Sequence, residues 1–294
     1  MIKTRLARDE EVDQLKSLWK TCFGDEDAYI NLYFDHKYKP EETAVLLWDD
    51  EIVAMTTMIP AHMVMESGET FNISMLYAIA THPSFQGKGL STQIMNFCHA
   101  HLKDQDKGHS ILVPAQESLF DFYGKRGYKD GFYIRELTLT YDEISKFMGA
   151  YKEKGLIRAT TESDYNARRR SRLEGQLYVD YRNEEIGYQK KLCQQYGGDL
   201  YAIDIGDACG CAVVERMSLE KVFIKEMLMP DHMIEEGIRQ IVALLPAQEY
   251  SLRLPVYLGK HLGGSTRHFG MIKSYSPKDV LPPGEVGYLG IAYD

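Results

Sequence analysis

The sequence predicts an α/β protein in which one arrangement of strands and helices occurs twice. Three observations point there. Apolar runs with strand-like alternation take turns with segments of helical periodicity. A short glycine-containing segment, Gln86-Gly87-Lys88-Gly89-Leu90-Ser91, joins a strand directly to a helix. The element order of residues 1–145 then recurs in residues 146–294. The 294 residues suffice for two domains, each with its own core.

Residues 3–8 read as a short strand. Asp9 stands as an N-cap before a helix in which Val12, Leu15, Leu18 and Trp19 recur at helical spacing. A second helix covers 27–37 and stops before Pro40. The runs 43–48 and 52–59 flank Asp49-Asp50-Glu51, a hairpin signal that lacks the favoured glycine. A strand over 71–81 ends at His82-Pro83, and a helix over 91–102 carries Ile94, Met95, Cys98 and Leu102 on one face. Residues 110–113 form a short buried strand, 118–126 a short helix and 132–140 a closing strand. In the second half, 200–205 and 208–215 form a strand pair across Gly206-Asp207. The strand 222–229 ends at Pro230 as the earlier one ends at Pro83, and a helix spans 233–245. Tyr250-Ser251-Leu252-Arg253-Leu254-Pro255 echoes His109-Ser110-Ile111-Leu112-Val113-Pro114, and His268-Phe269-Gly270-Met271 stands where Lys125-Arg126-Gly127-Tyr128 stood. The boundary is expected within 142–154.

Composition is that of a soluble globular protein, with 44% hydrophobic and 26% charged residues. No run approaches the ~20 apolar residues of a membrane helix, and the N-terminus runs straight into charge, so no membrane role and a cytoplasmic location are expected. A formal net charge of −9 argues against nucleic acid as a partner and suits a cationic amine. Of the five cysteines only Cys209 and Cys211 stand close together, with no further pair to complete a metal site; they read as core residues, and no metal is expected. The basic run Arg168-Arg169-Arg170 with Arg172 reads as a solvated helix face.

The segment Gln86–Ser91 carries the chemistry. Gly87 and Gly89 remove side chains where a ligand must approach the backbone, the N–H groups opening the next helix suit a phosphate or pyrophosphate, and Lys88 adds a positive charge. It lacks the GxGxxG spacing of dinucleotide folds and the Gly-Lys-Ser/Thr ending of a P-loop. It resembles the Gln/Arg-x-x-Gly-x-Gly/Ala signature of the GNAT acetyltransferase superfamily: Gln86, Gly89 and Ser91 fill the defined positions, Ser91 departing to another small residue. Tyr123-Gly124-Lys125-Arg126-Gly127-Tyr128 resembles the family's Tyr-x-x-x-Gly-Phe/Tyr stretch.

That resemblance implies a GNAT fold, a mixed central β-sheet flanked by helices, here duplicated with a degenerate second copy, as in Eis-like tandem enzymes. It implies a GNAT domain over 1–145 that binds acetyl-CoA as co-substrate. The bound coenzyme would touch the backbone of Ile79 and Ala80 and the residues Gln86, Gly87, Lys88, Gly89, Leu90 and Ser91. Tyr123 would be the general acid, its hydroxyl matching a thiolate leaving group. The acceptor is then a primary amine on a small molecule, peptide or lysine; the alternative is an acyl-CoA sensor without turnover. For the base, Glu117, His82, Glu66 and, by analogy with longer Eis-like chains, Asp294 stay open. In 146–294 the loop Pro230-Asp231-His232-Met233-Ile234-Glu235-Glu236 has lost its glycines and gained acid, so this half is expected to wall the acceptor pocket or to form a homo-oligomer interface.

Overall fold

The computed structural model describes residues 1–146, 155–276, 281 and 284–293. Strand β1 (Ile2–Leu6) pairs antiparallel with β2 (Thr43–Trp48), and between them run α1 (Val12–Phe23) and α2 (Asp27–His36). Helix α1 buries Leu15, Leu18 and Trp19 and ends at Gly24, whose φ of 74° closes a left-handed cap. Asp9 does not cap it. Asp9–Glu11 instead form one 3-10 turn, in which Glu11 accepts from the Arg8 N–H at 2.8 Å and pairs with Arg5. An acceptor with a cationic partner outcompetes the shorter aspartate.

Strands β3 (Glu51–Val64) and β4 (Thr70–Thr81) form a long hairpin, and β3 joins β2 through Asp49 and Asp50 at φ 47° and 68°. Aspartate tolerates this left-handed pair, which is why the turn forms without glycine. Then come α3 (Leu90–Asp104), β5 (His109–Leu112), α4 (Ser118–Gly124), β6 (Lys129–Thr140) and α5 (Tyr141–Ser145). The second half supplies β7 (Gly155–Ala159), α6 (Glu162–Leu173), β8 (Tyr178–Asp180), α7 (Asn183–Gln195), β9 (Asp199–Ile205), β10 (Ala208–Arg216), β11 (Lys221–Leu228), α8 (Ile234–Leu244), β12 (Glu249–Leu254) and β13 (Ser265–Ser274). The expected order recurs, with β11, α8 and β12 standing to the second half as β4, α3 and β5 stand to the first.

All of these strands join one mixed sheet in the order β1-β2-β3-β4-β5-β13-β6-β12-β11-β10-β9-β7, with β8 pairing β3. The closing strands are interleaved: β13 lies between β5 and β6, and β6 lies between β13 and β12. Each thereby gains two ladders, and neither half presents an open edge at the junction. The division at 145/146 follows the repeat along the chain, while the sheet runs across it. The expected boundary lies largely in 147–154, outside the described residues. His268–Met271 does not repeat the turn at 125–128; it lies within β13, because pairing with β6 takes this segment as strand.

The arginine run is likewise not a solvated face. Arg169 is fully buried, donating to Glu226 at 3.0 Å and to the Val179 carbonyl at 2.8 Å, while Arg168 pairs with Asp204 and Arg170 with Asp180. Glu226 also accepts from the Tyr165 hydroxyl. A buried guanidinium is tolerable only when matched in this way, and its carboxylate, Glu226, comes from a segment far away in sequence. Cys211 is buried and Cys209 half-buried, both as free thiols.

Candidate active site

The site forms where β4 leaves β5. These strands run parallel in register through Ile73 with His109, Ser74 with Ser110 and Met75 with Ile111, and the pairing stops there. Beyond it β4 bulges against β3, its register slipping between Met55 and Thr57, with Ala78 at φ 50°. A bulge adds a residue and turns the strand away from its neighbour. The gap between Leu76–Ile79 and Leu112–Ala115 opens a cavity of about 520 Å³. Ile79 lines it. Ala80 lies outside the lining, buried and in register with Met55.

At the end of β4 the chain makes a 3-10 turn, Pro83–Phe85, and then Gln86 to Gly89 lead into α3. Gly87 and Gly89 have φ of 75° and 76°, and a Cβ on either would meet nothing within 4 Å. Both glycines are thus required by conformation and border open space. The N–H groups of Gly87 through Thr92 donate to no acceptor among the described residues, whereas Gln93 N–H returns to the Gly89 carbonyl. This cluster of free donors opens a fifteen-residue helix, an arrangement whose geometry and dipole suit an anion. Gln86 donates its amide to the Thr81 carbonyl at 3.1 Å, tying the loop to the strand end. Lys88 folds back instead of reaching over the cradle. Its ammonium bonds the Ser84 carbonyl at 3.3 Å and lies over the rings of Phe85 and Trp48, at 4.8 and 5.1 Å. Leu90 is buried beneath the cradle, and Ser91 is half-buried in the first turn.

Tyr123 projects from α4 into the same cavity, 7% exposed, and its hydroxyl makes no hydrogen bond to a described residue. Burial pushes its pKa up to about 12, the charge of Arg126 opposing the shift. The phenol is therefore protonated throughout the neutral range. Because the folded-state value lies above the ordinary 10, the stability tied to Tyr123 is present below pH 10 and lost as pH rises from 10 to 12. Tyr33, Tyr77 and Tyr293 are shifted upward by burial in the same direction. Melting temperature is expected to be flat from pH 8 to 9.5 and to fall above 10; a fall beginning at pH 8.5 would contradict these shifts.

None of Glu117, His82 and Glu66 lines the cavity. His82 caps the 3-10 turn, its Nδ1 accepting from the Ser84 N–H at 3.3 Å. Glu66 borders a separate depression with Arg170 and Tyr178. Asp294 lies outside the described residues; its neighbour Tyr293 lines the cavity. The lining also includes Trp19, Asp25, Tyr29, Tyr77 and, from the second half, Arg253, Arg267 and Phe269. No local pattern marked these residues, since helix α1, the bulged strand and two exchanged-sheet strands meet only in the folded chain. No group of metal-ligating side chains occurs among the described residues.

The second half lacks the cradle. Its 3-10 turn Asp231–Met233 passes directly into α8 at Ile234, with no counterpart of Gln86–Gly89. Asp231 is spent accepting from the Gly259 N–H at 2.7 Å. Glu236 is fully buried, held by Arg239 and Gln240, and Gly237 packs against Met227 and Met229.

Residues 3–130 match the family described as acetyltransferase (GNAT) domain. The split strands, the glycine loop and the cavity-facing tyrosine all lie within this matched stretch. The chain as a whole shares its fold with several solved acetyltransferase structures. It is similar to a GCN5-related N-acetyltransferase from Anabaena variabilis, at 14% identity and a TM-score of 0.71 over 92% of this chain and 72% of that one. It is also similar to a probable N-acyltransferase from Enterococcus faecalis, at 14% and 0.72 over 93% and 73%. Eis1 from Mycobacterium abscessus aligns at 9% and 0.68 over 93% and 73%. At these identities the likeness is one of fold. No curated protein matches the sequence. Among the described residues no helix is long and apolar enough to cross a membrane.

Proposed function

We propose that this protein is an N-acetyltransferase that binds acetyl-CoA in residues 1–145 and transfers the acetyl group to a primary amine, with 146–294 as a degenerate copy. The observation that carries this reading is the split between β4 and β5, which opens a cavity lined by Ile79 and Tyr123, with the open glycine loop following at the end of β4. The cradle N–H groups receive the pyrophosphate, and the freed edge of β4 receives the pantetheine arm. The backbone at Ile79, beside the bulge, polarises the thioester carbonyl; one such donor is worth about 10²–10³ in kcat. A neutral amine attacks the carbonyl carbon, and the C–N bond forms. As the tetrahedral intermediate collapses the C–S bond breaks, the departing thiolate takes the Tyr123 proton, and the amide nitrogen yields its extra proton to solvent, from which Tyr123 is reprotonated.

One cradle predicts one coenzyme. Calorimetric titration of the full chain with acetyl-CoA is expected to give a stoichiometry near one. A value near two would mean that the α8 end also binds, against its packed glycine and buried Glu236.

A further inference from the structure

Arg126, at the end of α4, has no carboxylate partner among the described residues, in a chain of net charge −9. Its Nη1 donates to the Phe122 carbonyl at 2.6 Å, and its Nε and Nη2 donate to the Thr92 hydroxyl at 3.1 and 2.7 Å. The guanidinium carbon lies 3.4 Å from the centre of the Phe122 ring. Burial draws the Arg126 pKa below its ordinary value, with Tyr123 opposing the shift. Lys273 stands behind it on β13. Its ammonium donates to the Arg126 carbonyl at 2.7 Å, lies 5.9 Å from the centre of the Tyr128 ring, and is likewise shifted down by burial. It too has no carboxylate partner among the described residues. Two cations partly withdrawn from water, with no counter-ion in the fold, make this corner a place for an anion.

The corner adjoins the glycine loop. Thr92 belongs to the first turn of α3, whose N–H groups are free. Lys88 turns instead to the rings of Trp48 and Phe85, so the cation that reaches this turn is Arg126. We infer that Arg126 binds the 3′-phosphate of the coenzyme and thereby selects coenzyme A over its dephospho form, Lys273 adding positive field from behind. The inference rests on the acetyl-transfer reading above. The pyrophosphate finds its donors in the loop backbone, whereas the ribose 3′-phosphate is a terminal monoester carrying a charge of roughly −1.5 to −2. Such a group needs a cation, and a guanidinium offers it paired N–H donors, of which Nη1 and Nη2 each keep one to spare.

Calorimetry of the full chain with coenzyme A and with dephospho-coenzyme A tests this without turnover. Wild type is expected to bind coenzyme A at least about tenfold more tightly, the scale of one charge-assisted hydrogen bond. Added salt should erode that preference. Arg126→Met should bring coenzyme A down to the affinity of the dephospho form, which itself stays within about twofold of its wild-type value because it lacks the contact. Arg126→Gln, which keeps an N–H donor for the Phe122 carbonyl, serves if the methionine variant melts early. Equal affinities in wild type, a preference that survives in a folded variant, or a variant that weakens both coenzymes alike would overturn the inference. Should wild type bind neither coenzyme, the acetyl-transfer reading falls. Adenosine 3′,5′-bisphosphate and 5′-AMP, which differ only in that phosphate, then decide the role of Arg126, and a bisphosphate that binds no more tightly than 5′-AMP rules it out.

Discussion

Replacing Gly89 with glutamate is expected to abolish acetyl-CoA binding, weakening it by at least about a hundredfold, in a chain that still folds. Two terms contribute and can be told apart. Any L-residue at φ 76° incurs roughly 1–2 kcal/mol of backbone strain, but a Cβ there meets no neighbour, so the fold has no clash to relieve. The carboxylate adds the second term: it brings a negative charge to the unpaired N–H donors at the positive end of α3, where the proposed reading seats the pyrophosphate. Gly89→Ala isolates the strain and should lower the melting temperature by a few degrees with only a modest loss of affinity. Calorimetry and a melting curve on both variants settle it. Undiminished coenzyme affinity in Gly89→Glu would place the pyrophosphate elsewhere and remove the ground for the proposed reaction.

Tyr123→Phe should lower kcat by about 10²–10⁴, or ~3–5 kcal/mol of transition-state stabilisation, with coenzyme affinity nearly unchanged. The ring and its packing against Phe122 and Tyr128 survive the change. The hydroxyl has no partner among the described residues to leave stranded, so melting should move by no more than a degree or two. Loss of turnover without loss of stability is the signature of a group used only as the C–S bond breaks. A protonated phenol with a pKa of about 12 also implies that no alkaline fall in kcat below pH 10 comes from Tyr123. Turnover within threefold of wild type would assign the proton to another donor, or identify the protein as a coenzyme-binding sensor.

The sequence by itself determined the parts of the site that are local. Gly87, Gly89 and the helix behind them lie within a few residues, and their left-handed backbone and free N–H groups follow from residue type and helix geometry. Tyr123 was legible for the same reason, as one end of a short helix-to-turn stretch. The loss of the second cradle was equally local, written in the absence of glycine before α8. Tertiary structure alone decided the rest. The basic run of α6 reads as a solvated face because Glu226 and Asp204 are remote in sequence and Asp180 lies on the next strand, yet they bury or pair its arginines. Lys88 carries a charge in the right place along the chain, but the rings of Trp48 and Phe85 draw it away from the cradle. The lining of the cavity is the extreme case. Trp19 and Tyr77 come from the first half, Phe269 and Tyr293 from the second, and they meet only because β6 and β13 exchange places in one sheet. Strand pairing over such separations leaves no periodicity in the chain to read, since register and neighbour are chosen by burial in the assembled sheet.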